Sequence, residues 1–199
     1  MKSLYNYIIS TTNRYDNKVS IDNKELILNT EITERDYKFV NRIGTVVNVP
    51  ININTPVKQG DEVIIHHNVF RRWHNQHGIE KNSRSYMFDG MYAVSLDQIY
   101  AYQPLSTTDW QTFNDYCFVQ PVKSTDESST SKEKELHGIL RYTNKKLNIE
   151  KGETVCFTPD SEFEFVFNDM LLYCMKLNNI VLSYGIREGD EEYNPSWTR

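Results

Sequence analysis

Short apolar or alternating runs recur along the first half of the chain at residues 7–10, 26–28, 44–49, 62–67 and 91–95. Polar clusters separate them: Asp22-Asn23-Lys24, Lys58-Gln59-Gly60-Asp61 and Asp89-Gly90. Runs of this length bounded by turn-forming residues predict β-strands at hairpin or barrel spacing. A similar set follows at residues 116–119, 138–142, 154–157, 163–167 and 171–177, and no helical stripe of three or more turns is present.

The second set repeats the first. Gly44-Thr45-Val46 aligns with Gly138-Ile139-Leu140, and Val57-Lys58-Gln59-Gly60-Asp61-Glu62-Val63 with Ile149-Glu150-Lys151-Gly152-Glu153-Thr154-Val155. Leu96-Asp97-Gln98-Ile99 aligns with Leu177-Asn178-Asn179-Ile180. Order and spacing are preserved, which predicts two copies of one small fold rather than a single large sheet. The expected division is residues 1–105, residues 106–186 and a tail, 187–199, that periodicity does not assign. Each [VI]-x-x-G-[DE]-x-V unit predicts a polar turn whose Gly accepts a positive φ, followed by a strand.

The copies differ in their connections. About 37 residues separate Tyr7 from Gly44, against about 21 between Cys117 and Gly138. Residues 71–85 form an insertion in copy one. Residues 123–135 are entirely Ser, Thr, Glu, Asp and Lys, a composition that predicts a mobile surface loop.

Composition narrows the function. The 199 residues are 39% hydrophobic and 25% charged, an ordinary globular balance. A formal net charge of -5 provides no global field for nucleic acid or anionic lipid, so neither is an expected partner. No apolar run approaches the roughly 20 residues of a membrane span, and residues 1–10 lack a basic-then-apolar signal pattern, so a cytoplasmic protein is expected. Cys117, Cys156 and Cys174 are far apart and predict reduced core residues. Thirteen Tyr and nine Phe against eight Gly favour strands, so the expected class is all-β.

In order and spacing the first copy resembles the GroES-type co-chaperonins, in particular their divergent bacteriophage forms. The resemblance rests on Tyr7-Ile8-Ile9, Arg42-Ile43-Gly44-Thr45-Val46-Val47, Gly60-Asp61-Glu62-Val63-Ile64-Ile65, Asp89-Gly90-Met91-Tyr92 and Asp97-Gln98-Ile99. Copy two keeps Gly138, Gly152 and Ile180, with Glu153 in place of Asp and Asn168-Asp169 in place of the Asp-Gly turn. The resemblance implies two GroES-like small β-barrels in tandem. It further implies a lid, assembled as a homo-oligomeric ring, that closes the folding chamber of a GroEL-type chaperonin ring. Such a lid does no chemistry of its own and needs no cofactor; its client in a phage-infected host cytoplasm is expected to be a capsid protein. By the same resemblance Leu26, Ile27 and Leu28 stand where the family carries the apolar tripeptide of its mobile loop, although Lys24-Glu25 replaces the usual preceding Gly. The alternative local reading is that Leu26, Ile27 and Leu28 form a β-strand. The alternative function is a phage virion or assembly component built on the same barrel.

Other motifs carry less. His66, His67, His74 and His77 lie close in sequence, but His66 and His67 are expected on opposite faces of a strand, with no Cys or paired carboxylate alongside, so no metal site is expected. Phe70, Arg71, Arg72 and Trp73, continued by Lys81 and Arg84, combine cations with aromatic side chains; the expected use is contact with a neighbouring subunit or a client. Asp160, Glu162 and Glu164 alternate as the solvated face of a strand. No nucleophile elbow, P-loop or zinc-protease motif is present, so no catalytic residue is assigned.

Overall fold

In a computed structural model, the described residues are 2–15, 18–21, 24–27, 40–126, 131–144 and 146–198. The chain divides into two units, Met1–Asp109 and Trp110–Arg199. The described residues are all-β apart from short 3-10 turns, and no helix among them is long and apolar enough to cross a membrane.

The first unit contains β1 (Tyr7–Ser10), β2 (Lys18–Ile21), β3 (Lys24–Ile27), β4 (Ile43–Asn48), β5 (Glu62–Ile65), β6 (Arg72–His74), β7 (Glu80–Asn82), β8 (Tyr86–Phe88), β9 (Met91–Val94) and β10 (Ile99–Gln103). Its main sheet runs β10-β5-β4-β1-β9-β8, with every pairing antiparallel. Tyr7, Ile9, Val63, Ile65, Phe70, Tyr92, Val94 and Ile99 are buried together in its core.

The second unit contains β11 (Gln111–Thr112), β12 (Tyr116–Lys123), β13 (Glu133–Tyr142), β14 (Thr154–Phe157), β15 (Phe163–Phe167), β16 (Met170–Lys176) and β17 (Ile180–Ser183). Its sheet runs β17-β14-β13-β12-β16-β15, the order of the first unit strand for strand. The cysteines are free: Cys117 and Cys174 are buried and Cys156 half-buried. Burial pushes the Cys117 thiol up to about 12, so it behaves as a small apolar core group.

Register carries the duplication further than strand order. Ile9 pairs with Val46 and Val119 with Leu140, each just past an irregularity at the preceding residue. Gly44 pairs with Val63 and Gly138 with Val155. Ile9 pairs with Tyr92 and Val119 with Tyr173; Ile99 pairs with Ile65 and Ile180 with Phe157. The turn chemistry matches as well. Asp61 Oδ2 accepts from Lys58 N at 2.8 Å and Glu153 Oε1 from Glu150 N at 2.9 Å, so either carboxylate closes the turn. Gly60 and Gly152 sit at φ 91° and 95°, where a side chain would strain the backbone. Asp89-Gly90 and Asn168-Asp169 all have positive φ, the geometry of a tight type I′ hairpin, which Asn and Asp tolerate nearly as well as Gly. A Cβ on Gly138 would lie 2.2 Å from a Val119 methyl, and one on Gly44 2.8 Å from Ile9 Cδ1. Both glycines therefore permit close approach of the neighbouring strand.

Two sequence expectations need correction. Neither sheet closes into a barrel among the described residues: no pairing joins β10 to β8 or β17 to β15. Residues 123–135 are not one long loop, because Lys123 ends β12, Glu133 opens β13, and the two pair directly. Ser124 N donates to Lys132 O at 2.9 Å, and Tyr173 OH donates to Glu133 at 2.7 Å. Ladder bonds and this tyrosine order a stretch that could not order itself by burial; residues 127–130 lie outside the described residues. The acidic tail also has a place. Lys123 N donates to Glu191 O at 2.7 Å, Tyr193 N to Pro121 O at 2.8 Å, and Thr154 Oγ1 to Asp190 at 2.7 Å.

Candidate functional site

What distinguishes the first unit is a pair of excursions that have no counterpart among the described residues of the second. The β1–β4 connection carries the β2–β3 hairpin, and the β5–β8 connection carries the β6–β7 hairpin; each forms its own two-stranded sheet. Their bases are bonded to one another. The first base is closed by the Tyr15–Val40 bridge and by Asn41 N donating to Arg14 O at 2.9 Å. Asn41 Nδ2 donates to Asn13 O at 2.7 Å, and Asn41 Oδ1 accepts from Ile43 N at 2.9 Å.

From this base Arg14 reaches the second excursion. It donates to Phe70 O at 3.0 Å, Asn82 Oδ1 at 2.8 Å and Arg71 O at 3.4 Å, and approaches Glu80 at 3.8 Å. Tyr15 OH accepts from Arg72 N at 2.9 Å, and the Arg72 guanidinium lies 5.0 Å from the Tyr15 ring centre. A planar guanidinium donating in several directions is suited to tying separate carbonyls together. The two hairpins thus share a root made of Arg14, Tyr15, Arg72 and Glu80. Arg14 and Tyr15 were not singled out from sequence, since an Arg and a Tyr inside a polar stretch give no periodic signal.

The expected docking segment is a strand over its described part. Leu26 and Ile27 belong to β3, opposite Val19 and Lys18, and Leu28 lies outside the described residues. β3 makes no pairing with the main sheet among the described residues, and Leu26 is 51% exposed. Over residues 24–27 the segment is one strand of a two-stranded ribbon, which was the alternative local reading of the sequence. Lys18-Val19-Ser20-Ile21 alternates polar with β-branched residues, which favours pairing.

The cationic insertion separates residue by residue. Phe70 is fully buried, edge-on to Tyr92 at 4.8 Å, and so belongs to the core instead of to a contact surface. Arg72 is bound at the root, 3.4 Å from Glu80. Trp73 is 54% exposed. Arg71 and Trp73 line a groove of about 450 Å³ together with Asn68, Ser83, Arg84 and Gln98.

The histidine expectation was wrong in its geometry. β5 ends at Ile65, so His66 caps a 3-10 turn with Nδ1 accepting from Asn68 N at 3.1 Å, and the His66 and His67 rings stack at 4.3 Å. Burial, then Arg42 with His66 and Arg71, pushes His67 down to about 3; burial and Arg42 also lower His66. Both are neutral at physiological pH. Among the described residues no group of three His, Cys, Asp or Glu is placed to hold a metal ion.

No protein-family model matches this sequence, and no curated protein matches it either.

Proposed function

We propose that the protein is a co-chaperonin-type lid, phage-encoded and acting in the host cytoplasm, which docks on a GroEL-type chaperonin ring through the β2–β3 arm of its first unit and closes the folding chamber. The observation that carries this reading is the exposed Leu26 on an arm between β1 and β4, at the position where the resembling family places its docking tripeptide. Fully burying one Leu contributes about 2 kcal/mol, too little for a stable complex from a single arm. Repetition of the arm around a homo-oligomeric ring converts weak contacts into a strong but releasable one. Copy two has no separate hairpin between β12 and β13 among the described residues, so one arm per chain docks. In this reading the protein performs no chemistry, and nucleotide hydrolysis belongs to the partner ring.

A second reading, a virion or assembly component with two GroES-like modules, is favoured by one observation: Leu26 and Ile27 are already strand-paired before any partner binds. The two are separated by mixing the purified chain with a GroEL-type ring. Nucleotide-dependent co-elution, with protection of residues 11–31 from protease, is the lid outcome. A lack of association with or without ATP removes the lid reading and leaves the structural one.

A further inference from the structure

The C-terminal tail lies on the second unit as an added strand, in a groove with a definite chemistry. β16 pairs with β12 only as far as Val119, and beyond it the tail takes over through an antiparallel bridge between Val122 and Glu192. Lys123 N donates to Glu191 O at 2.7 Å and Tyr193 N to Pro121 O at 2.8 Å, so the groove reads the tail backbone as a sheet edge reads a strand. Three side-chain contacts add selectivity. Arg141 of β13 donates to Oε1 of the buried Gln120 at 2.6 Å and, so oriented, pairs with Glu192. Thr154 of β14, 1% exposed, donates to Asp190 at 2.7 Å. Asn194 Oδ1 accepts from Leu171 N at 2.9 Å while its Nδ2 donates to Asp169 O at 2.7 Å, which fixes the tail to the β15–β16 turn.

These contacts are polar. Of residues 187–198 only Pro195 and Thr198 are buried, so little apolar burial offsets the entropy of ordering the segment. The connector from β17, residues 186–189, is exposed and lies between Gly185 and Gly189, at φ 71° and 109°, where a Cβ would meet nothing within 4 Å. A segment held by exposed hydrogen bonds opens locally at a fraction of the global free energy. Opening leaves the edge of β12 unpaired at Pro121 and Lys123 and takes the Glu192 carboxylate away from Arg141.

We infer that this groove is an acceptor site for an extended acidic peptide strand, closed in the isolated chain by its own tail and filled, when copies associate, by residues 190–198 of a second copy. The same segment of a second copy satisfies every contact named above without any change in the groove, and exchange of an identical element requires only that the connector take another route. A basic or neutral strand would leave Arg141 facing no carboxylate.

The test uses full-length chains. A fluorescein-labelled synthetic peptide of residues 187–199 is titrated into the parent and into Asn194→Ala, whose own tail loses its hold on Leu171 and Asp169. Asn194→Ala is expected to bind the peptide saturably and at least about tenfold more tightly than the parent, because its own tail competes less. The same peptide carrying Glu192→Gln and Asn194→Ala is expected to bind at least about tenfold more weakly. In the parent, Tyr193 N is expected to exchange its hydrogen at least about a hundredfold faster than Leu140 N, which is bonded to Glu153 O. Val122→Cys and Glu192→Cys chains, mixed under mild oxidation, are expected to form an intermolecular disulfide that neither forms with the parent, since the two positions face each other across the bridge. Absence of saturable peptide binding by Asn194→Ala at millimolar concentration overturns the inference, as does equal affinity for the two peptides. Tyr193 N protected as strongly as Leu140 N, or a mixture in which no such disulfide forms, also overturns it and makes the tail a fixed part of its own chain. None of these results depends on chaperonin docking.

Discussion

Replacing Arg14 by Ala tests whether the two hairpins of the first unit are held as one body. The side chain is 22% exposed and makes two short hydrogen bonds, at 3.0 Å to Phe70 O and 2.8 Å to Asn82 Oδ1. The third bond, 3.4 Å to Arg71 O, and the 3.8 Å approach to Glu80 are weak. Taking about 1.5 kcal/mol for each short charge-assisted bond and a few tenths for the rest gives roughly 3 kcal/mol. That energy tethers the hairpin bases, so it is lost locally instead of from the whole fold. Amide hydrogen exchange is the appropriate assay. Asn41 N, bonded to Arg14 O, and Asn75 N, bonded to Ile79 O, report the two excursions separately. Both are expected to exchange about a hundredfold faster in Arg14→Ala, while amides of β12 and β16 are unchanged. Arg14→Lys keeps the charge but not the fork and is expected to recover less than half of the effect. Faster exchange in only one hairpin, or in neither, would refute a shared root.

Gly138→Ala places a Cβ 2.2 Å from Val119 Cγ1 and 2.7 Å from Gln120 O, and is expected to cost about 3 kcal/mol or more in denaturant unfolding. Gly152→Ala meets nothing within 4 Å and suffers only its positive φ, so about 1 kcal/mol is expected; the reverse ranking would contradict the packing argument. His67 is held down at about 3 in the fold against 6.5 in the free side chain, so protons favour the unfolded chain. Its contribution to stability is complete above about pH 6.5 and declines as pH falls toward about 3. Melting temperatures at about pH 7 and about pH 4.5 should therefore diverge less in His67→Gln than in the parent, and equal slopes would count against a buried neutral imidazole.

The duplication was legible because its signals are local. A Gly before an acidic residue and a strand reports a positive φ, and those glycines indeed sit at 91° and 95°. The Leu96 and Leu177 segments both form a single 3-10 turn before the last strand of their repeat. Substitution of Asn168-Asp169 for Asp-Gly preserved the hairpin, because the backbone demand, not the residue identity, is what repeats. Barrel closure could not be read in the same way: it depends on strand tilt and on pairings between distant ends of the sheet, and the described sheets remain open. The site was only partly legible. Phe70 looked like a surface anchor beside two arginines, but β5 ends at Ile65 and the following turn points it into the core against Tyr92. His66 and His67 were assigned to that strand one turn too far. Leu26 was found as an apolar triplet, yet its pairing with Val19 depends on a partner strand whose Lys18-Val19-Ser20-Ile21 pattern is too short to stand out. The acidic tail carried no periodicity at all, because its order comes from hydrogen bonds to Pro121, Lys123 and Thr154.

The most direct measurement is the affinity of the chain and its Leu26→Asp variant for a GroEL-type ring in the presence of ATP. Leu26 is exposed, so the variant is expected to fold with an unchanged melting temperature. An unpaired carboxylate carried into an apolar groove should then abolish ring binding that the parent chain shows. Equal binding by the variant, or no binding by the parent, would contradict docking through the β2–β3 arm.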